Sequence, residues 1–156
     1  MAEVRIRVAV AEDADFLTRG NAAMALETEA LHLDPLRLRA GVDAVFAEPA
    51  RGVYYIAETD GQPVGQMLIT YEWSDWRNGD FWWIQSVWVE PPFRGTGVFR
   101  RLYAHVEQLA RADARVCGLR LYVENHNNRA QRTYERCGMK RTAYQMFSAD
   151  FVLGDS

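Results

Sequence analysis

Two strand-like runs separated by Asp60-Gly61 constrain the fold more than any other feature of this chain. The runs are "GVYYIAET" (52–59) and "PVGQMLITYEW" (63–73). An Asp-Gly pair between such runs is a strong signal for a tight hairpin turn. A continuously apolar run, "FWWIQSVWV" (81–89), follows and is typical of a strand buried on both faces. Three consecutive strands predict an antiparallel meander.

Other segments place helices on this sheet. Alternating residues predict a first strand at 4–10, and two helices follow, the second capped by Asp34. After the meander the chain predicts, in order, a helix at 97–113, a strand at 118–124, a helix at 127–138 and a strand at 140–147. A strand–helix–strand unit predicts a parallel pair. The fold class is therefore α/β (α+β), with a mixed sheet.

Composition narrows the classes of function. A length of 156 residues suits one domain spanning 1–156, and a net charge of −3 argues against nucleic acid as a partner. Two cysteines without a CxxC motif indicate reduced thiols in a cytoplasmic protein. The start is too charged for a signal peptide, and no apolar run approaches the roughly 18 residues that span a bilayer. We expect no membrane partner and assign no metal ligands.

The stretch "VEPPFRGTGVFRRLY" (89–103) joins a strand to a helix through two glycines. Backbone amides at a helix start, with Arg94, Arg100 and Arg101 nearby, suit a phosphate group. The plainer interpretation is a tight turn capped by glycine. A P-loop and the GxGxxG dinucleotide motif are both absent, so the motif alone does not identify a ligand.

A second motif, at 127–139, helps to interpret the junction. The junction resembles the R-x-x-G-x-G/A signature of the GNAT superfamily of N-acetyltransferases, with Arg94 and Gly97 matching and Phe99 in the last position. The segment 127–139 is similar to the pattern N-x-x-A-x-x-x-Y-x-x-x-G-F, with Met139 in place of Phe. Val-Phe after the glycine resembles a bacterial subgroup. The resemblance implies a mostly antiparallel sheet of about six to seven strands with about four helices.

The resemblance also implies acetyl-CoA as the acyl donor. Strand residues before the junction would hold the pantetheine arm through their backbone, as an added strand is held. Amides at the junction would hold the pyrophosphate, with Phe99 packing its side chain toward the sheet. The residues implied to contact the cofactor are Val87, Trp88, Val89, Arg94, Gly95, Thr96, Gly97, Val98, Phe99, Arg100, Asn127 and Tyr134.

Acetylation of an amine needs three groups. A backbone N–H near 87–89 would receive the carbonyl oxygen, and Tyr134 lies where the family carries the acid that protonates the leaving thiolate. The alternative for Tyr134 is a core position in an amphipathic helix. At the position that Gln85 occupies in this chain, many family members carry a Glu that acts as the general base. We interpret Gln85 as orienting the substrate or a water molecule. The candidates for the base are Glu27, Glu29, Glu72, His32 and His126, each with a surface or structural role as its alternative.

All five tryptophans lie between Trp73 and Trp88. They predict a sheet core, a hairpin packing cluster or a subunit interface. The alternative is an acceptor pocket in which Trp73 and Trp76 stack on a cationic amine while Glu72 or Asp75 attracts its charge.

Three functions remain open from the sequence. The first is transfer of an acetyl group from acetyl-CoA to a primary amine of a small molecule by direct attack on the thioester. The second is a CoA-binding sensor module without transfer activity, and the third is acetylation of a protein or peptide amine. A homodimer is an expectation from the resemblance alone.

Overall fold

The computed structural model of the protein describes residues 3–154. The chain divides into two compact units, one running to Tyr122 and the other from Val123 onward. The helices and strands, in chain order, are β1 (Arg5–Val8), α1 (Ala14–Glu29), α2 (Pro35–Ala47), β2 (Val53–Thr59), β3 (Gln62–Ser74), β4 (Gly79–Val89), α3 (Val98–Ala112), β5 (Val116–Arg120) and α4 (Asn128–Arg136). That residues 1–156 form one domain stays a prediction.

One mixed sheet organises the first unit. Its strand order is β1-β2-β3-β4-β5, and every neighbouring pair is antiparallel except the parallel pair β4–β5. Asp60 and Gly61 form the β2–β3 turn with φ of 50° and 74°, the left-handed values that a tight hairpin needs. The predicted mixed, mostly antiparallel class is confirmed, with four α-helices among residues 3–154. The sheet that these residues form has five strands, so the predicted count of about six to seven is too high.

The helices begin where the sequence places their signals. Asp34 caps α2 by accepting from the backbone N–H groups of Leu36 and Arg37. In α3, Leu102 and Val106 of the apolar stripe are completely buried. This burial follows from the 3.6-residue spacing of the stripe, which turns one side of the helix to the core. No helix within residues 3–154 combines the length and apolar character needed to cross a bilayer.

Two strand predictions after α3 need correction. The predicted strand at 118–124 is β5, which ends at Arg120. The predicted strand at 140–147 is wrong, since this segment is exposed and has no regular structure. A local hydrogen bond is present there instead of strand pairing: Tyr144 N–H donates to the hydroxyl of Thr142. Such side-chain bonds compete with sheet ladders.

β4 is less buried than its sequence predicts. Phe81, Ile84 and Trp88 are buried, but the remaining side chains of the strand are half-buried, so the prediction of burial on both faces is wrong for most positions. The strand also has an open edge. Pairing of β4 with β5 ends at Trp83, and no strand among residues 3–154 pairs with the second half of β4 on that side.

Candidate functional site

β4 carries one residue more than β3 at its centre. Gln66 faces Trp88 and Leu68 faces Gln85, so one residue of β3 opposes two of β4. Ser86 absorbs the extra length with a φ of 50°, in the left-handed region. That conformation is uncommon for a side chain other than glycine. The bulge bends β4 and changes the direction of its backbone groups.

The bulge lies in a part of β4 that has lost its parallel neighbour. The last paired residues are Trp83 and Arg120, and β4 continues to Val89. Among the described residues, no strand pairs with 84–89 on the β5 side. The predicted pantetheine contacts, Val87, Trp88 and Val89, all lie here. An extended ligand with amide groups fits such an edge, because strand backbone can pair with it.

The turn before α3 presents backbone amides. Gly95 and Gly97 adopt φ of 77° and 91°, and the hydroxyl of Thr96 donates to the carbonyl of Phe93. Gly97 is the N-cap, so no side chain caps the helix, and the first helical bond runs from Arg101 N–H to Gly97. The amides of residues 98–100 therefore have no partner within the helix. A Cβ on Gly97 would meet nothing within 4 Å, so the approach is open.

Arg94 is held beside this turn by three contacts. Its Nε donates to the carbonyl oxygen of Val89 at 2.9 Å, and its Nη2 lies 3.1 Å from Oε2 of Glu27. The guanidinium also covers the Trp88 ring at 4.6 Å from the centroid. These contacts connect α1, β4 and the turn, and they fix a positive charge near the uncapped amides.

The residues that open α3 have different surroundings. Val98 is buried and packs on β3, where its Cγ1 lies 2.8 Å from the position a Cβ on Gly65 would take. Phe99 is half-buried, with its ring centroid 6.2 Å from that of Tyr103. Arg100 is exposed. The close approach of α3 to the sheet thus depends on Gly65.

Glu72 is engaged by two neighbours. Its Oε1 accepts from Trp83 Nε1 at 3.0 Å and from Arg120 Nη1 at 2.8 Å. Arg120 also lies over the Phe81 ring, 3.5 Å from the centroid. The carboxylate therefore organises an aromatic and cationic cluster on the sheet. Within the described residues, Oε2 of Glu72 accepts no hydrogen bond from a protein group.

The other candidate bases are mostly exposed. Glu27 pairs with Arg94, whereas Glu29 and His32 lie exposed near the α1–α2 connection. The amide of Gln85 donates to the hydroxyl of Thr70 on β3. In the second unit, His126 Nδ1 lies 2.9 Å from a carboxylate oxygen of Glu124. Within 3–154, the His, Cys, Asp and Glu side chains form no cluster of three that could hold a metal ion.

The aromatic hairpin divides into a packed part and an exposed part. Trp88 is buried, and Trp82 packs edge-on against Tyr71. Trp73 and Trp76 are 61% and 85% exposed near the β3–β4 turn. Exposed indole rings are available to a ligand or to another protein surface. The same two residues are those of the alternative interpretation of the sequence, an acceptor pocket.

The second unit carries the remaining motif residues. Asn127 caps α4 by accepting from Ala130 N–H at 3.2 Å, and Gly138 ends the motif with a φ of 95°. Burial raises the pKa of Tyr134 above its ordinary value of 10, and the nearby Cys137 thiol adds to the rise. Tyr134 therefore keeps its proton at neutral pH and can donate it.

Sequence patterns missed Gln66, Asn21 and Arg120. Gln66 is completely buried and donates to the carbonyl of Ser86 and to Asn21. Its one signal is a polar residue inside the apolar run "PVGQMLIT". Arg120 gave no signal, because its contact with Glu72 joins residues far apart in sequence.

Comparison with known proteins adds independent information. The model of the acetyltransferase (GNAT) family matches residues 22–139. A solved structure described as a possible acetyltransferase from Clostridium difficile 630 is 38% identical, with a TM-score of 0.89. The match covers 96% of this chain and 98% of that chain. None of the curated proteins matches the chain.

More distant structures share the fold. A predicted acetyltransferase with acetyl-CoA from Clostridium acetobutylicum is 17% identical, covers 94% of this chain and 96% of its own, and has a TM-score of 0.76. Glucosamine-6-phosphate N-acetyltransferase from Arabidopsis thaliana is 19% identical, covers 96% of this chain and 99% of its own, and has a TM-score of 0.69.

Proposed function

Because the chain belongs to the acetyltransferase (GNAT) family, we propose that it transfers an acetyl group from acetyl-CoA to a primary amine of a small molecule. Members of this family use acetyl-CoA as the acyl donor. A small-molecule amine as the acceptor goes beyond what family membership shows. One observation carries the use of acetyl-CoA: the open β4 edge at 84–89 precedes the uncapped amides of α3 in the chain.

Acetyl-CoA fits these two features in its chemistry. The pantetheine arm carries amide groups that suit the backbone of Val87, Trp88 and Val89. The pyrophosphate suits the amides of residues 94–100, since a helix N-terminus carries a partial positive charge. Arg94 adds a full charge, and the open space at Gly97 admits the phosphate oxygens. The Asn127 side chain is the proposed contact from α4.

The chain's own groups supply the catalysis in this proposal. A backbone N–H at the β4 bulge stabilises the negative charge that develops on the thioester carbonyl oxygen as the amine attacks. Tyr134 gives its proton to the thiolate that leaves. Its raised pKa keeps it protonated throughout the neutral range.

Removal of the amine proton is assigned to a carboxylate acting directly or through water. Glu72 is one candidate, since Arg120 and Trp83 bind Oε1 and leave Oε2 for a proton. Glu27 is the other, on the edge of α1 beside Arg94. Gln85 has no basic group and is proposed to orient the acceptor or a water.

A CoA-binding sensor is the second candidate. Gln85 in place of a carboxylate favours it, and so do the ion pairs that occupy Glu27 and Glu72. A sensor and an acetyltransferase would both bind acetyl-CoA, but only the acetyltransferase would release the CoA thiol when an amine is present.

Thiol release from acetyl-CoA across a panel of small amines separates the two. The expected result is amine-dependent thiol release together with a higher Tm in acetyl-CoA. A raised Tm without release by any amine supports the sensor, and release with peptide amines alone moves the acceptor to that class. A Tm unchanged by acetyl-CoA contradicts both.

A further inference from the structure

Gln66 is the polar centre of an apolar strand. Its side chain is 0% exposed, and its Nε2 donates to Oδ1 of Asn21 at 2.9 Å and to the carbonyl oxygen of Ser86 at 3.1 Å. Because both partners are hydrogen-bond acceptors, the carboxamide atom that faces them is the nitrogen, Nε2. These bonds satisfy the nitrogen end of the buried amide, whereas Oε1 accepts no hydrogen bond from the described residues. Both N–H groups of Gln66 are therefore committed.

The neighbours of Gln66 hold it in one orientation. Asn21 is buried in α1, and its Nδ2 donates to the hydroxyl of Tyr54 on β2 at 3.3 Å. Gly20 lets α1 approach, because a Cβ there would lie 2.5 Å from Oε1 of Gln66 and 2.8 Å from Cδ1 of Trp88. The backbone of α1 at Gly20 therefore lies close against the carboxamide oxygen. One polar chain thus connects β2, α1 and β3 to the bulge of β4.

The bond to Ser86 determines where the next amide points. The described chain contains no cis peptide, so the carbonyl of Ser86 and the N–H of Val87 point in opposite directions within one rigid plane. Gln66 holds that carbonyl toward β3. The Val87 N–H consequently points away from β3, toward the edge of β4 whose pairing with β5 has ended.

We propose that Gln66, held by Asn21, is a positioning residue for acetyl transfer. It fixes the Ser86–Val87 peptide so that the Val87 N–H donates to the thioester carbonyl of the acyl donor. This inference rests on the proposed function. A donor fixed in advance needs no reorientation as charge develops on the oxygen. The left-handed conformation of Ser86 costs free energy, because Ser86 is not a glycine. In this proposal the bond from Gln66 keeps Ser86 in that conformation.

Gln66→Met tests the role, because methionine keeps the length and removes the carboxamide. The expected result is a kcat lower by about tenfold or more, with the Kd for acetyl-CoA within about twofold of wild type. Gln108→Met makes the same change on the exposed side of α3 and should leave both unchanged. A structural role alone lowers Tm but leaves kcat intact in the folded variant, and that result overturns the proposal.

Infrared spectroscopy of acetyl-CoA labelled with ¹³C at the carbonyl gives a readout that does not need turnover. The bound wild-type band should lie at lower frequency than the free band, because a hydrogen bond weakens the C=O bond. Gln66→Met should move the band back toward the free value. An unmoved band overturns the inference. A wild type that binds acetyl-CoA but never releases thiol contradicts the proposed transfer and still permits this measurement.

Gln66→Glu covers the case in which Gln66→Met does not fold. A buried carboxyl has a raised pKa, and its neutral form can donate to the Ser86 carbonyl. The ratio of its kcat to that of wild type should therefore rise as pH falls from about 9 to about 6. A ratio independent of pH, with a folded variant, overturns the proposal.

Discussion

Arg94 and Glu27 form an ion pair in which Nη2 lies 3.1 Å from Oε2, next to the amides that open α3. Arg94 also donates to the carbonyl of Val89 and covers the Trp88 ring. The contacts with Val89 and Trp88 hold the guanidinium in place, and neither adds a negative charge that would repel an anion. Glu27 holds it too, but its charge repels a phosphate group. The pair therefore orients Arg94 and weakens its attraction for a ligand.

Glu27→Gln separates these effects. Removing the carboxylate should lower the Kd for acetyl-CoA by up to about fivefold, since an exposed ion pair contributes about 0.2–1 kcal/mol. Val89 and Trp88 should still hold Arg94 in position. Isothermal titration at low ionic strength measures the change, and added salt should reduce it.

Glu29→Gln is the matched control for Glu27. Glu29 is exposed at the end of the same helix and forms no ion pair within the described residues. The Kd of Glu29→Gln for acetyl-CoA should therefore equal that of wild type. A tenfold or larger loss of kcat in Glu27→Gln alone, at saturating acetyl-CoA, would instead assign Glu27 as the base, because removal of a general base lowers turnover about 10²–10⁴-fold.

Gly97→Trp should abolish acetyl-CoA binding. The indole would fill the open space through which a phosphate reaches the amides, and the φ of 91° disfavours any side chain. Gly61→Trp is the control, with a φ of 74° and equally open surroundings at the β2–β3 turn. Both variants should lose stability, but Gly61→Trp should keep its Kd. Retained affinity in Gly97→Trp contradicts the phosphate site.

The sequence predicted the meander, the parallel pair and the position of the turn at 94–97, because hairpin, helix-cap and motif signals are local. It did not show that pairing of β4 with β5 ends at Trp83 and Arg120, or that Ser86 accepts a hydrogen bond from Gln66 on the neighbouring strand. It also could not predict that Glu72 pairs with Arg120. Contacts between residues distant in sequence leave no local pattern.

Tyr134→Phe tests the proposed acid. It should lower kcat by about tenfold or more and leave the Kd for acetyl-CoA within about twofold. Burial raises the Tyr134 pKa above 10, so wild-type kcat should show no loss from this group between pH 7 and pH 9.5. Tyr144→Phe, at an exposed position of the same unit, should match wild type. An unchanged kcat in Tyr134→Phe removes the tyrosine from the reaction.

Asp13→Asn tests a buried ion pair of the scaffold. The carboxylate accepts from both terminal nitrogens of Arg7, which lowers its pKa despite the opposing effect of burial, and the Val10 N–H adds to the lowering. The variant should lose about 1.5–3 kcal/mol of unfolding free energy at pH 7.

The difference between Asp13→Asn and wild type should depend on pH. A carboxyl whose pKa is lower in the folded state stabilises the protein above its ordinary pKa of 3.8, and this contribution disappears as pH falls through the folded value. Urea unfolding should therefore show a constant difference from pH 5 to pH 7 that shrinks below about pH 4. Asp15→Asn, with its side chain 91% exposed, should change stability by less than about 0.5 kcal/mol. A difference that does not shrink between pH 5 and pH 3 contradicts the ion-pair explanation.

Trp76→Ala tests whether the exposed indoles receive the acceptor. Trp76 is 85% exposed at the β3–β4 turn, and a cationic amine over an indole face gains about 0.5–1 kcal/mol at an exposed site. The variant should raise KM for the amine about two- to fivefold and leave KM for acetyl-CoA unchanged. Leu36→Ala removes an 84% exposed apolar side chain from α2 and should alter neither constant. Equal changes in both KM values, or a loss of Tm alone, would assign Trp76 to packing or to a protein interface. Because the ring is exposed, the measurement separates ligand contact from core packing.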